Sequence, residues 1–177
     1  MPMKLMYGGL SKSFKISGVN VVVTTRKNLP SPLGTMIFEE DTNLILTVDK
    51  ETRFQEEHPI KLMTEIINAP HHSPGTLVLN DQNWYAVVID INAEPMCKSE
   101  WIADAYIEVF KQLDKRKIIK AGIHLLGSIH GNMPIKKSVK IFLDILQMEP
   151  IKYTKNINLI VHETDLSDVG VEVSKWL

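Results

Sequence analysis

The chain has 177 residues, 44 per cent hydrophobic and 23 per cent charged, a balance that suits one folded domain with a sizeable core. Its 20 basic and 21 acidic side chains leave a formal charge of −1, which argues against binding nucleic acid by bulk electrostatics. The single cysteine, Cys97, excludes an internal disulfide. No apolar run reaches the roughly 20 residues of a bilayer span and the first residues lack a signal-peptide core, so the chain reads as soluble, intracellular and cytoplasmic, with no membrane partner.

In chain order, residues 4–7 and 14–16 read as short strands of an edge hairpin around Gly8-Gly9. Residues 19–25 carry Val21, Val22 and Val23 followed by two threonines, a β-branched run typical of a strand buried on both faces. Two prolines and Gly34 make residues 28–34 a loop. Residues 35–38 and 43–49 then read as strands around a turn at 39–42. From Phe54 the period becomes helical, with Pro59 in a first turn and Ile60, Met63, Ile66 and Ile67 on one face, ending before Pro70. Residues 71–75 are a loop, and 76–79 with 84–91 read as a hairpin around residues 80–83. Cys97 reads as a buried or half-buried residue before a helix that Ser99 would cap. That helix runs to about Arg116 with Ile102, Ala105, Tyr106, Val109, Phe110 and Leu113 on its apolar face.

The stretch 118–146 organises the rest. It reads as a buried strand at 121–126, a tight turn carrying Gly127 and Gly131, and a helix from Pro134 to about Gln147, whose face is Ile135, Val139, Phe142, Leu143 and Leu146. A strand at 156–162 follows, and 169–177 reads as a last short helix or strand. Alternating strands and helices imply a mixed sheet covered on both faces. A turn of this kind can lay several backbone N–H groups and the positive end of a helix around one anion, although glycine between strand and helix also serves simply to turn the chain.

With its turn written Leu125-Leu126-Gly127-Ser128-Ile129-His130-Gly131-Asn132-Met133-Pro134, this order of elements resembles the macro domain family and the related amino-terminal domain of leucine aminopeptidases. The resemblance is best over 76–166 and spans a single domain, 1–177. It implies a three-layer α/β/α fold with a mixed central sheet. It also implies a ligand such as ADP-ribose, a related nucleotide or another phosphate-bearing molecule, held by Gly127, Ser128, Ile129, His130, Gly131 and Asn132. The chain departs from the family pattern in three places. No Gly-Asp-Ile follows Val23, and where the family carries Asn-Ala-x-Asn before a glycine-rich loop the sequence reads Leu46-Thr47-Val48-Asp49-Lys50-Glu51-Thr52-Arg53. The turn matches either without a gap, putting Ile129 and Asn132 at family glycines, or with a one-residue deletion that aligns Gly127 and Gly131.

Those losses point away from catalysis, since the family places its hydrolytic water with the missing segment. Asp49, Glu51 and Glu56 are the carboxylates that could serve as a general base, and the plainer reading of each is a solvated charge. The six histidines show no His-x-x-x-His spacing, so no metal is expected, and no cofactor is implied. His130 could donate from its imidazole to a phosphate oxygen, whereas His124, in the strand, reads as a hydrogen-bonded core or interface residue. Ser128 reads as a hydroxyl that caps the turn or touches phosphate, and Tyr7, Phe38 and Phe54 as candidate neighbours of an adenine. Three functions follow: a binding module, a protein-interaction domain with a degenerate site, or an unconventional hydrolase of ADP-ribosyl or phosphoester bonds. They differ in what they predict: an open concave site over the turn, a filled site with an exposed apolar patch elsewhere, or a carboxylate of raised pKa facing the turn.

Overall fold

Apolar runs, the last three in chain order each leading into a helix, assemble into one seven-stranded mixed sheet in the computed structural model, which describes residues 5–6, 9–10, 12–46 and 70–176. The strands are β3 (Lys12–Ile16), β4 (Val19–Thr24), β5 (Thr35–Asp41), β6 (Leu77–Asn80), β7 (Asn83–Ile89), β8 (Lys120–His124) and β9 (Asn156–Ile160). Their order is β3-β4-β9-β8-β5-β7-β6. The five inner strands are parallel, and β3 and β6 close the two edges antiparallel. A separate two-stranded ribbon pairs β1 (Leu5–Met6) with β2 (Gly9–Leu10).

The helices α1 (Ser99–Lys115), α2 (Ile135–Met148) and α3 (Leu166–Ser174) pack in succession, α1 on α2 and α2 on α3. Tyr106 and Phe110 of α1 pack with Phe142 of α2, with ring centroids 5.4 to 6.1 Å apart, beside the buried Trp84, Ile102, Leu113, Leu143 and Leu146. The mixed sheet with its helices has the three-layer α/β/α architecture expected from the sequence.

Several local expectations change. The segment 14–16 pairs with β4 rather than with the chain start, because Ser17 and Gly18 both adopt positive φ (48° and 82°), the conformation of a type I′ hairpin turn. The strand expected at 35–38 continues through Glu39, Glu40 and Asp41, all three buried. The strand expected from Asn43 is instead a turn as far as Leu46, with Leu44 at φ 56°. Ser99 is the first residue of α1 rather than its cap; Lys98 occupies the cap position, with no capping bond from its side chain. The terminal segment is helical, starting at Leu166. The helix expected between Phe54 and Pro70 lies outside the described residues.

Candidate functional site

Because the five inner strands run parallel, their C-terminal ends open on one side, where an α/β sheet gathers its loops. The turn 127–131 follows β8 there, and the chain leaving β5 lies beside it. The turn is seated on α1 and its lead-in. Leu126 N–H donates to the Tyr106 hydroxyl at 2.9 Å, and Met133 N–H closes the turn onto the Gly127 carbonyl at 2.9 Å. Gly127 has φ +84°, and a Cβ there would overlap Ile102 Cδ1. At Gly131 a Cβ would come within 2.8 Å of both Cys97 Sγ and the Gly127 carbonyl. Each glycine is therefore required, one for its backbone conformation and both for close approach.

The N–H groups converge as an anion-binding turn should, and the anion they hold belongs to the protein. Glu39 Oε2 accepts from Gly127 N–H at 2.6 Å, and Oε1 accepts from His130 N–H at 2.7 Å and Gly131 N–H at 3.0 Å. Glu39 is only 1% exposed. The ladder between β5 and β8 ends at Ile37 and Ile123, so beyond that point this carboxylate joins the two strands' continuations. Burial pushes the Glu39 pKa above the usual carboxylate range, opposed by the three N–H bonds and the charge of His130.

The residues expected at the site divide accordingly. Gly127, His130 and Gly131 meet through their backbones. Ser128 turns its hydroxyl to the Leu125 carbonyl at 2.6 Å, capping the turn. Ile129 is half-buried, and Asn132 is exposed with φ 51°. The His130 imidazole is exposed, free of the turn's own bonding. Asp49, Glu51 and Glu56, along with Tyr7 and Phe54, lie outside the described residues. Phe38 packs against Tyr85 and edge-on to His124, with centroids 6.0 and 5.0 Å away.

Glu39 is the site residue the sequence reading missed. The signal available was an acidic triplet set directly on an apolar strand in a parallel sheet, where the strand's end must face the turn. Its neighbours are also buried. Glu40 Oε2 accepts from Asp41 N–H and Leu46 N–H, both at 3.0 Å. Asp41 Oδ1 accepts from Asn43 N–H at 2.6 Å, while its Oδ2 and the Thr42 hydroxyl are buried without a partner. Desolvation raises the Asp41 pKa.

Cys97 lies against Gly131, and burial, with the charge of Glu39, pushes its thiol up to about 12. Desolvation, then the charges of Arg26 and His130, lowers His124 to about 4, and its Nε2 is buried and unpartnered. Among the described residues no group of three or more His, Cys, Asp or Glu side chains is placed to hold a metal ion. No described helix is long and apolar enough to cross a membrane.

Comparison with solved structures places this architecture among macro domains. The Oceanobacillus iheyensis macrodomain, solved with ADPR, superposes with a TM-score of 0.68 at 13% identity, covering 94% of this chain and 98% of that one. The macro domain of ganglioside induced differentiation associated protein 2 gives a TM-score of 0.55 at 12% identity over 85% and 81%. The Trypanosoma brucei macrodomain in complex with ADP-ribose gives 0.53 at 12% identity over 80% and 63%. No family model and no curated protein matches the sequence. At these identities the likeness defines the fold, and the fold is macro domain-like.

Proposed function

We propose that the chain is a macro-type recognition module, non-catalytic or weakly catalytic. Its ligand is ADP-ribose, a related nucleotide or another phosphate-bearing molecule, received over the turn Gly127, Ser128, Ile129, His130, Gly131 and Asn132. The observation that carries this reading is the convergence of three backbone N–H groups, from Gly127, His130 and Gly131, on one carboxylate within 3.0 Å. Donors so arranged suit an oxyanion. The likeness to macrodomains solved with ADPR and ADP-ribose supports the choice of ligand class.

Hydrolysis is the less favoured activity. The carboxylate beside the turn has its two oxygens engaged by N–H donors and is buried, so it is poorly placed to draw a proton from a water that also attacks a ligand. Occupation of the turn by Glu39 favours a second reading, an interaction domain whose ligand site is closed. Isothermal titration calorimetry with ADP-ribose, AMP and inorganic phosphate separates the two. Saturable heat, weakened in Gly131→Ala, is the expected result for a recognition module. A folded protein that gives no heat with any of the three, even with Glu39 replaced by alanine, rules it out and leaves the closed domain.

A further inference from the structure

We propose that Glu39 is a built-in occupant of the anion turn, an intramolecular stand-in for a ligand's phosphate, and that the turn takes up an external oxyanion only when this carboxylate is displaced. The inference rests on reading the turn as the ligand's anion subsite and adds how that subsite is governed.

Three observations carry it. The first is exclusivity: Gly127, His130 and Gly131 each have one N–H proton, and all three point at Glu39 at 2.6 to 3.0 Å. A phosphate oxygen in the same place needs those protons and cannot share them with a second full anion at contact distance. The second is tethering. Glu39 sits on β5, whose backbone is registered with Ala86 of β7, so its carboxylate competes at a high effective concentration that a free ligand must overcome. The third is position. Pairing of β5 with β8 stops at Ile37, and the register with β7 shifts at Glu40 and Asp41. The side chain therefore projects where the ladder to β8 has ended, and its withdrawal leaves every β5–β8 pair in place.

A purely structural role for the same carboxylate, stitching β5 to the turn, makes a different prediction. A structural staple, once removed, leaves a weakened protein indifferent to anions, whereas removal of an occupant leaves an open site that anions fill. The test uses wild type and Glu39→Ala, with Glu39→Asp as the variant that retracts the carboxylate by one methylene should the alanine protein not fold. Each is titrated with inorganic phosphate and with ADP-ribose while the amide resonances of Gly127, His130 and Gly131 are followed by NMR.

Under the proposal, phosphate at about 20 mM shifts those three amides in the variant and raises its Tm by on the order of 3 °C, while wild type stays within about 1 °C. ADP-ribose then binds the variant at least roughly tenfold more tightly than wild type. Absence of any phosphate response in the folded variant overturns the proposal. So does wild type binding ADP-ribose as tightly as the variant, a result that leaves the recognition reading standing. A variant that takes phosphate but never ADP-ribose supports the occupant and removes the ADP-ribose reading instead.

Discussion

The two ends of the parallel sheet use carboxylates in opposite ways. At the N-terminal end, Asp114 accepts from Lys152 N–H at 2.7 Å and Tyr153 N–H at 3.1 Å near solvent, Thr154 donates to the Ile118 carbonyl at 2.7 Å, and Ile119 and Tyr153 are exposed. At the C-terminal end, Glu39, Glu40, Asp41 and Thr42 are each at most 1% exposed. Both ends close loops with carboxylate-to-backbone bonds, but only one does so where burying the charge carries a penalty of desolvation. Asp114 shows that a carboxylate can fasten a loop without being buried. Of the three buried carboxylates, Glu40 and Asp41 bond the loop that follows β5, and Glu39 alone lies in a turn shaped for anions.

The largest effect expected at the C-terminal end is at Gly127. Alanine there meets both the positive φ and Ile102, and the shift needed to fit it moves the donors off Glu39. A loss of about 3 kcal/mol, read by urea denaturation, is the expected size. A loss below about 1 kcal/mol is inconsistent with the tight seat of the turn on α1. Glu39→Ala comes next, at about 2 kcal/mol, because it orphans three N–H groups but also removes a costly buried charge. Without added anion it should be clearly less stable than wild type, and equal stability would make the two ends alike.

Much of this architecture was legible in the sequence because it is written locally. The β-branched run of β4, the helical period of α1 and α2, and the strand, glycine turn and Pro134 in succession each declare themselves within a few residues. The early hairpin was misread because Ser17-Gly18, a two-residue turn that sets the partner of β3, was passed over for the more conspicuous Gly8-Gly9. Glu39 is harder to read for a deeper reason. Glu-Glu-Asp-Thr-Asn is turn-forming and solvated by every local rule, and its burial depends on a contact 88 to 92 residues away in sequence. A residue that breaks the local rule belongs where function is sought.

The pH dependence of stability provides a finer contrast, since His124 and Glu39 act with opposite signs. His124 is lowered to about 4 in the folded protein, so unfolding takes up a proton between its ordinary value near 6.5 and 4. Its contribution is complete above about pH 6.5 and falls by up to about 1.4 kcal/mol per unit as the solution is acidified through that window. Glu39 is raised, so the folded state binds its proton more tightly. Its contribution is most favourable below the ordinary carboxylate value and declines as pH rises through the raised one. Its charge in turn helps burial to shift the neighbouring Cys97 and Tyr106 upward. Replacing His124 by phenylalanine, which retains an aromatic edge toward Phe38, should flatten the acid limb of stability against pH. An unchanged limb would assign it to another group.

The smallest effects test whether burial or mere location sets the two ends apart. Asp114→Ala removes two bonds whose N–H groups water can reach, so about 1 kcal/mol is expected, measured alongside Glu39→Ala in the same denaturant series. Lys27 and Glu163 supply the sharper control, for they lie at the C-terminal end itself, one following β4 and the other following β9. Their 2.7 Å ion pair raises the lysine pKa and lowers that of the glutamate, yet the side chains are 80% and 57% exposed. A solvated pair of this kind gains little, because water and salt screen it and two flexible side chains must be ordered. Lys27→Ala should leave the denaturation midpoint where it was, although it sits far nearer the turn's end of the sheet than Asp114 does. If it instead destabilises as much as Glu39→Ala, the contrast between the ends reflects the charge gathered at one end rather than the burial of a carboxylate in an anion turn, and Glu39 loses its special standing.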